Sequence, residues 1–218
     1  MSVNFSPEGL LATQAFQIEN VSNEKIAIQI SLAERKMDLD GKEELPDANK
    51  LFNVFPNQMI LDAKSTRTIR VTWIGDKKPT KELAYRLIAE QLPVEGFKTK
   101  TSGQAVINIL LKYIASIYIV PPETFSTISL KSLKKVEKDK KNMLEVEITN
   151  SGNRHKILSE PKIILSSANK TGTTLELGGE QLNLINGQNV LAESTRRFYI
   201  PFPPQWKSAE LNGELKVK

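Results

Sequence analysis

One apolar run near the middle of the chain restricts the possible folds more than any other segment. Residues 105–120 read A-V-I-N-I-L-L-K-Y-I-A-S-I-Y-I-V, and Pro121-Pro122 follows at once. β-Branched and aromatic residues at this density are typical of a strand rather than a helix. Proline has no backbone N–H to donate, so the pair also ends the strand. The run therefore predicts one unusually long β-strand.

Two interpretations of this strand remain open. Continuous apolar runs are typical of central strands that are buried on both faces, so this ordinary interpretation is favoured. In the other interpretation, part of the apolar stripe is reserved for a partner chain. The odd-numbered positions from 107 to 119 share one face in either case, because side chains alternate along a strand.

Composition excludes several classes of protein. A chain of 218 residues predicts one large or two ordinary domains. The absence of cysteine excludes disulfides and thiolate chemistry, and no apolar run reaches the length of about 20 residues that a membrane helix needs. The start of the chain lacks the basic and hydrophobic regions of a signal peptide. The lysine-rich stretch 131–141 is predicted to be a solvated hairpin turn, not a nucleic-acid site.

Short alternating segments fill the rest of the chain, and almost no helical periodicity is visible. The predicted strands before Pro121 are 15–19, 26–32, 51–55, 58–61, 66–73, 83–92 and the apolar run; those after it are 128–130, 144–148, 163–165, 174–177, 181–184, 195–200 and 211–217. This pattern indicates an all-β fold with two immunoglobulin-like β-sandwich domains, 1–121 and 122–218. The double proline is a semi-rigid hinge, and we expect a cleft between the domains.

No set of residues in the sequence suggests catalysis. His155 is the only histidine, and without a second histidine or a cysteine a zinc site or a nucleophilic couple is not expected. The glycine motifs of nucleotide-binding loops and of serine hydrolases are missing. The sequence therefore predicts no enzyme, no cofactor and no metal.

Three blocks between residues 52 and 93 resemble a known family. They are F-N-V-F-P-N-Q-M-I-L, S-T-R-T-I-R-V-T-W-I-G-D and K-E-L-A-Y-R-L-I-A-E-Q-L-P, the last of which keeps the family's spacing from Glu82 to Leu92-Pro93. The chain is similar in these blocks to the periplasmic chaperones of pilus assembly, the PapD-like family. The similarity extends over most of the chain and is that of a divergent branch.

The resemblance implies a function for the long strand. Family members lend this strand to an incomplete pilus or fimbrial subunit, a form of β-strand addition, and deliver the subunit to an outer-membrane usher. By alignment the donor residues are Ile107, Ile109 and Leu111. The resemblance also implies a periplasmic location, with an export signal that is absent from this chain and has been removed. An unpaired donor strand is an aggregation hazard, so either self-association through residues 105–113 or disorder in the preceding loop 93–103 is expected.

The chain departs from the family where the subunit is anchored. Family members bind the subunit's terminal carboxylate with an arginine near the start of the first strand and a lysine late in the long strand. The lysine position falls on Ser116, and the arginine position falls at or before Met1. Lys112 on the same strand and Arg86 on the preceding one are the candidate carboxylate anchors.

Two other functions fit the same pattern of strands. The chain could be a tandem immunoglobulin-like adhesion or peptide-binding interaction module, in which the apolar stripe is simply core. It could also be a cytoplasmic eukaryotic relative of the fold that binds short peptide motifs. Genes for usher-like and pilin-like proteins beside its own would favour the chaperone over both.

Overall fold

A computed structural model describes residues 1–93, 110–167, 174–207 and 211–218, and nearly all regular structure in them is β-strand. The chain divides into two compact units. Unit 1 contains residues 1–36, 44–79 and 83–121, and unit 2 contains residues 37–43, 80–82 and 122–218. The all-β class is confirmed, whereas the division into domains 1–121 and 122–218 stays a prediction. The described helices are short 3₁₀ turns, too short to span a membrane.

The strands before Pro121 follow the alternation of the sequence. Their bounds are β1 (Ser2–Phe5), β2 (Thr13–Glu19), β3 (Ile26–Glu34), β4 (Lys36–Met37), β5 (Glu43–Glu44), β6 (Phe52–Phe55), β7 (Gln58–Leu61), β8 (Thr66–Trp73), β9 (Leu83–Leu92) and β10 (Lys112–Ile119). Two 3₁₀ turns, Leu10–Ala12 and Asn49–Leu51, lie among them. Six of the seven predicted strands in this half match an observed strand closely, and the seventh is observed only as β10.

Unit 1 is a sandwich of two sheets. One sheet has the strand order β1-β10-β9-β3-β7, and the other has the order β2-β8-β6. β1 runs parallel to β10, while the remaining pairs in both sheets are antiparallel. Each strand contributes alternate side chains to the interior, as two packed sheets require. β10 is therefore held between β9 on one side and β1 on the other, and β1 forms the sheet edge.

A cluster of aromatic rings fills the centre of unit 1. Phe52 lies edge-on to Trp73 and to Tyr85, with ring centroids 5.0 Å apart in both pairs. Phe5 packs against Phe52 and Phe16, each at 6.4 Å. Burial, with a smaller contribution from the Glu34 carboxylate, raises the pKa of Tyr85 to about 12. Aromatic pairs at these distances add to the energy of area burial, so Phe52 is the residue on which the cluster depends.

Unit 2 is built from shorter sheets. Its strands are β11 (Ile128–Lys138), β12 (Lys141–Asn150), β13 (Lys156–Ile157), β14 (Lys162–Ser166), β15 (Thr174–Leu177), β16 (Asn189–Val190), β17 (Ser194–Pro201) and β18 (Asn212–Lys216). The sheets have the orders β11-β12-β17, β15-β14-β18 and β13-β16. The buried residues that form its core are Leu144, Val146, Ile148, Leu158, Ile163, Leu165, Leu177, Leu182, Ile185, Val190, Phe198, Ile200 and Trp206.

Two short segments from the first half of the chain belong to unit 2. In the segment 37–43, the Asp40 carboxylate accepts two hydrogen bonds from the Arg197 guanidinium, at 2.9 and 2.8 Å. The Arg197 backbone N–H also donates to the Leu39 carbonyl at 2.7 Å. The Arg197 guanidinium lowers the pKa of the Asp40 carboxyl. A paired arginine and aspartate so far apart in sequence could not be recognised from the sequence alone.

The same asparagine arrangement closes a strand end in each unit. Asn20 follows β2 and Asn150 ends β12, and both side chains are almost fully buried. Each amide group donates to the carbonyl four residues further on, at 2.7 Å in both cases. Each amide oxygen accepts from the backbone N–H two residues further on, at 3.0 and 3.1 Å. The asparagine side chain has both a hydrogen-bond donor and an acceptor, so one side chain can bond to backbone carbonyl and N–H groups of the same turn.

Two sequence predictions for unit 2 are wrong. Residues 181–184 were expected to form a strand, but Gly179–Leu182 is a 3₁₀ turn. Leu182 and Ile185 are both buried, and their spacing of three suits that turn. The stretch 131–141 was expected to be a turn, but β11 continues to Lys138. Leu133 and Val136 within it are partly buried, and only Asp139-Lys140, both at positive φ, form the turn.

Alanine substitution at Phe52 and at Phe55 tests the aromatic cluster on a single strand. Phe52 is 5% exposed and Phe55 is 77% exposed, although both belong to β6. Phe52→Ala is expected to lower the free energy of unfolding by about 3–5 kcal/mol, because it leaves a cavity in the core. Phe55→Ala is expected to change it by less than about 0.5 kcal/mol. Urea unfolding measures both, and equal losses would contradict the assigned core.

Candidate functional site

β10 changes from a core strand to an exposed strand along its length. At its end, Ile117 and Ile119 are completely buried in the core of unit 1. At its start, Tyr113 is 65% exposed, and Leu111 just before the strand is 48% exposed. All four residues have odd numbers and so lie on the same face of the strand. The face that enters the core at one end therefore faces solvent at the other.

The backbone of β10 shows the same division. β1 pairs with β10 only from Ser116 to Ile119. The N–H groups of Ser116 and Val120 point towards β1 and donate to the carbonyls of Met1 and Phe5, at 3.1 and 2.8 Å. By the alternation of a strand, the backbone groups of Lys112 and Ile114 point to the same side. No strand in the described part of the chain pairs with them there.

The other side of this segment is fully paired. β9 lies antiparallel to β10 along its whole length, from the pair Lys112–Glu90 to the pair Ile119–Leu83. The ladder even extends beyond the strand, since the Gln91 N–H donates to the Leu111 carbonyl at 2.9 Å. The segment 111–115 is thus held rigidly on one edge and open on the other, within the described residues. We call residues 111–115 the open-edge segment.

Four apolar residues surround this open edge. Leu110, Leu111 and Ile114 are each 48% exposed, and Tyr113 is more exposed still. Leu111 and Tyr113 lie on the core-facing side of the sheet, whereas Ile114 lies on its outer side. An apolar strand with an unpaired edge is a template for adding another strand. Its backbone can complete a ladder, and its side chains can fill an apolar groove.

The outer side of the sheet carries the two candidate anchors. Ser116 and Arg86 are direct partners across β10 and β9, and an Arg86 N–H donates to the Ser116 hydroxyl oxygen. A guanidinium therefore lies at the position where the family has a lysine. Lys112 instead faces Glu90, with its Nζ 3.9 Å from the carboxylate and both side chains about half exposed. Such exposed pairs contribute little to stability.

A second arginine on this side was missed by the sequence analysis. Arg35, just after β3, is 8% exposed, and its Nη1 donates to the hydroxyl oxygen of Tyr118 at 2.9 Å. Its backbone N–H donates to the carbonyl of Ala84, which lies directly between them in the sheet. The small Ala84 side chain leaves room for the guanidinium to reach across. Only the strand register, which the sequence does not show, brings these residues together.

His155 contacts a buried carboxylate in unit 2. Its Nδ1 lies 2.6 Å from Oε1 of Glu82, whose side chain is only 1% exposed. The Glu82 backbone N–H donates to the Asn153 carbonyl at 2.9 Å, which fixes the segment 80–82 in place. No group of three potential metal-ligating side chains occurs in the described part of the chain.

The three predicted donor residues can be placed only in part. Ile107 and Ile109 lie outside the described residues. Leu111 is described, is half exposed and shares its face with Tyr113. In the described part of the apolar run, residues 117–119 are core, as the first interpretation predicts, and residues 111–114 are exposed. The second interpretation, in which a partner chain covers part of the stripe, stays a prediction. A role of Leu111 in binding a partner stays a prediction.

Comparison with known proteins identifies the family. Residues 10–125 match the sequence profile described as pili and flagellar-assembly chaperone, PapD N-terminal domain. Because this match spans more than half of the chain, the protein belongs to that family, as its resemblance to the PapD-like chaperones predicted. A member of this family is a chaperone of pilus assembly. No curated protein sequence is significantly similar to the chain.

Solved structures show the same two-domain fold at low sequence identity. The class 5 fimbriae chaperone CfaA aligns with a TM-score of 0.57 at 18% identity, over 100% of this chain and 96% of that one. A chain of the CsuC–CsuE chaperone–tip adhesion subunit complex of Acinetobacter baumannii gives 0.60 at 15%, over 98% and 93%. A chain of the Salmonella enterica SafA pilin–SafB chaperone complex gives 0.55 at 16%, over 92% and 81%.

Serine substitution at Leu111 and at Ile117 tests the division of β10. Ile117→Ser removes a packed side chain and buries a hydroxyl, so the free energy of unfolding is expected to fall by about 3 kcal/mol or more. Leu111→Ser, on the same face, is expected to change it by less than about 0.5 kcal/mol. Urea unfolding followed by circular dichroism measures both. A large loss at Leu111 would mean that the exposed half of the strand is core after all.

Proposed function

We propose that this chain is a periplasmic chaperone that captures pilus or fimbrial subunits by donating β10 to them, and that delivers them to an outer-membrane usher. The observation that carries the proposal is the open-edge segment, where no strand of the described part of the chain pairs with one edge of an apolar strand. Leu111 is its described donor residue, and Ile107 and Ile109 are the donors that alignment with the family adds. The related structures contain chaperones with a pilin or a tip adhesion subunit, which supports a subunit as the partner.

The physical basis is the need of an incomplete sandwich for a missing strand. A subunit that lacks one strand exposes an apolar groove and a row of unpaired N–H and C=O groups, which are costly to leave unsatisfied. A donated strand supplies the backbone partners, and its alternate side chains fill the groove. Each large aliphatic side chain that becomes fully buried contributes about 1.5–3 kcal/mol. Nucleotide hydrolysis is not required for this step.

Arg86 is the better supported of the two carboxylate anchors. A terminal carboxylate that leaves water needs a cationic partner with several donors, and guanidinium provides a planar pair. Arg86 lies beside Ser116, where the pairing of β10 with β1 begins, so it is next to the end of the open-edge segment. Lys112 lies four residues earlier and faces a carboxylate of its own chain. We therefore assign the main role to Arg86.

Loss of subunit capture without loss of stability is the expected result of Leu111→Ser. The variant is co-expressed in a bacterial periplasm with a panel of pilus subunits, and the subunit that the parent captures is quantified by co-purification. Capture is expected to fall at least tenfold, because the groove loses one apolar side chain and gains a hydroxyl. Ile60→Ser is the matched control, since Ile60 is 58% exposed on β7 at the other edge of the same sheet.

Unchanged capture by a folded Leu111→Ser variant would contradict strand donation. It would favour the alternative that this chain is a tandem immunoglobulin-like adhesion or peptide-binding module. Equal loss with Ile60→Ser would also count against the proposal, because it would mean that any exposed apolar residue of the sheet matters. Neither result depends on the stability of the variants, which urea unfolding determines separately.

The anchors are tested by alanine substitution. Arg86→Ala is expected to weaken subunit capture about tenfold or more, because the subunit's terminal carboxylate loses a charged partner. Lys112→Ala is expected to have a smaller effect, and the double variant should resemble Arg86→Ala. Competition between tagged variants and untagged parent for a limited supply of subunit measures the differences. Full capture by the double variant would refute both assignments.

A further inference from the structure

We propose that Tyr113 selects the subunits that this chain accepts, by inserting into a pocket of the subunit that has apolar walls and a hydrogen-bond acceptor. The inference rests on strand donation as the function of β10. It adds Tyr113 to the donor residues, at a position closer to this chain's own core. No described interaction of the chain itself accounts for a large aromatic residue at that position.

The register of the sheet places Tyr113 at the margin of the core. On the core-facing side, Ile30, Ala89 and Tyr113 are direct neighbours across β3, β9 and β10. Ile30 is 3% exposed and Ala89 is 5% exposed, whereas Tyr113 is 65% exposed. The apolar interior thus continues sideways to the exposed ring of Tyr113. A partner strand beside the open-edge segment would bring its own interior against this ring.

The neighbours of Tyr113 leave its ring uncovered. The residue beside it on β9 is Ala89, and the next residue on the same face of β10 is Ala115. Both are small, so neither can shield a ring. Within the described residues, no other ring stacks on Tyr113, and no group bonds to its hydroxyl.

The other tyrosines of the chain are buried or have a described partner. Tyr85 and Tyr118 are almost fully buried. The ring of Tyr199 lies under the Nζ of Lys138, at 3.7 Å. Together with Tyr113 these are the four tyrosines of the chain. Tyr113 alone among them combines high exposure with the absence of a described partner, which is the state expected of a residue kept for another molecule.

The chemistry of the phenol group defines the pocket. Tyrosine presents a large apolar ring together with one polar group and loses little side-chain freedom on binding, which explains its frequency at the centre of interfaces. A buried hydroxyl requires a hydrogen-bond partner. The subunit groove must therefore be wide enough for a ring about 7 Å from the site of Leu111, two residues along the strand. Subunits with a narrow or fully apolar groove at this level would be rejected.

Two variants of Tyr113 separate the ring from the hydroxyl. Tyr113→Ala is expected to weaken capture of the pilus subunit that the parent captures at least tenfold, with melting unchanged. Tyr113→Phe keeps the ring and is expected to weaken capture about three- to tenfold, the usual effect of one lost hydrogen bond. Competition against untagged parent gives both ratios. As a direct readout, N-acetylimidazole should acetylate Tyr113 in the free chain but not in the complex, whereas Tyr199 should react equally in both.

The outcomes distinguish this inference from the proposed function. Parental capture by Tyr113→Ala, together with loss of capture by Leu111→Ser, would overturn the role of Tyr113 and leave strand donation standing. Parental capture by both variants would overturn both. If Tyr113→Ala melted far below the parent, Tyr113 would be core and the inference would fail. If Tyr113→Phe captured as well as the parent, the acceptor in the pocket would be refuted.

Discussion

Every backbone N–H and C=O group removed from water must find a partner, and this requirement governs the layout of unit 1. Most of its strands meet the requirement within the sheet. β10 meets it through β9 along its whole length, but through β1 only from Ser116 onwards. Within the described residues, the segment before Ser116 combines an edge that no strand pairs with exposed apolar side chains, a combination that proteins ordinarily avoid because it invites aggregation. Its presence is the strongest structural argument for a partner strand.

Much of the fold could be predicted from the sequence, because a period of two survives in nearly every strand. The β3 segment, with Ile26, Ile28, Ile30 and Leu32 on one side, is found as expected. The two failures have different causes. β11 carries lysines on a surface-exposed strand, so its composition resembled that of a turn. The 3₁₀ turn Gly179–Leu182 is too short to show a helical period.

The candidate site was predictable only where a pattern runs along one strand. Alternation predicted that Leu111 shares a face with the other odd positions of β10. The Arg86–Ser116 pair and the reach of Arg35 to Tyr118 depend on the register between strands, which single sequences do not specify. The exposure of the apolar run could not be predicted either, because the sequence gives no sign that the run changes from exposed at Tyr113 to buried at Ile117.

If β10 is donated as proposed, its division into a buried and an exposed part has a consequence for the exchange of a partner. The fully buried residues Ile117 and Ile119, and the pairing with β1, all lie beyond the segment that a partner would contact. Release of a partner would leave these interactions untouched, so the chain would need no refolding between successive cargoes. The free-energy change of such an exchange would then come almost entirely from the subunit and from the strand that replaces β10 in its groove. The chain itself would therefore store no free energy between one partner and the next.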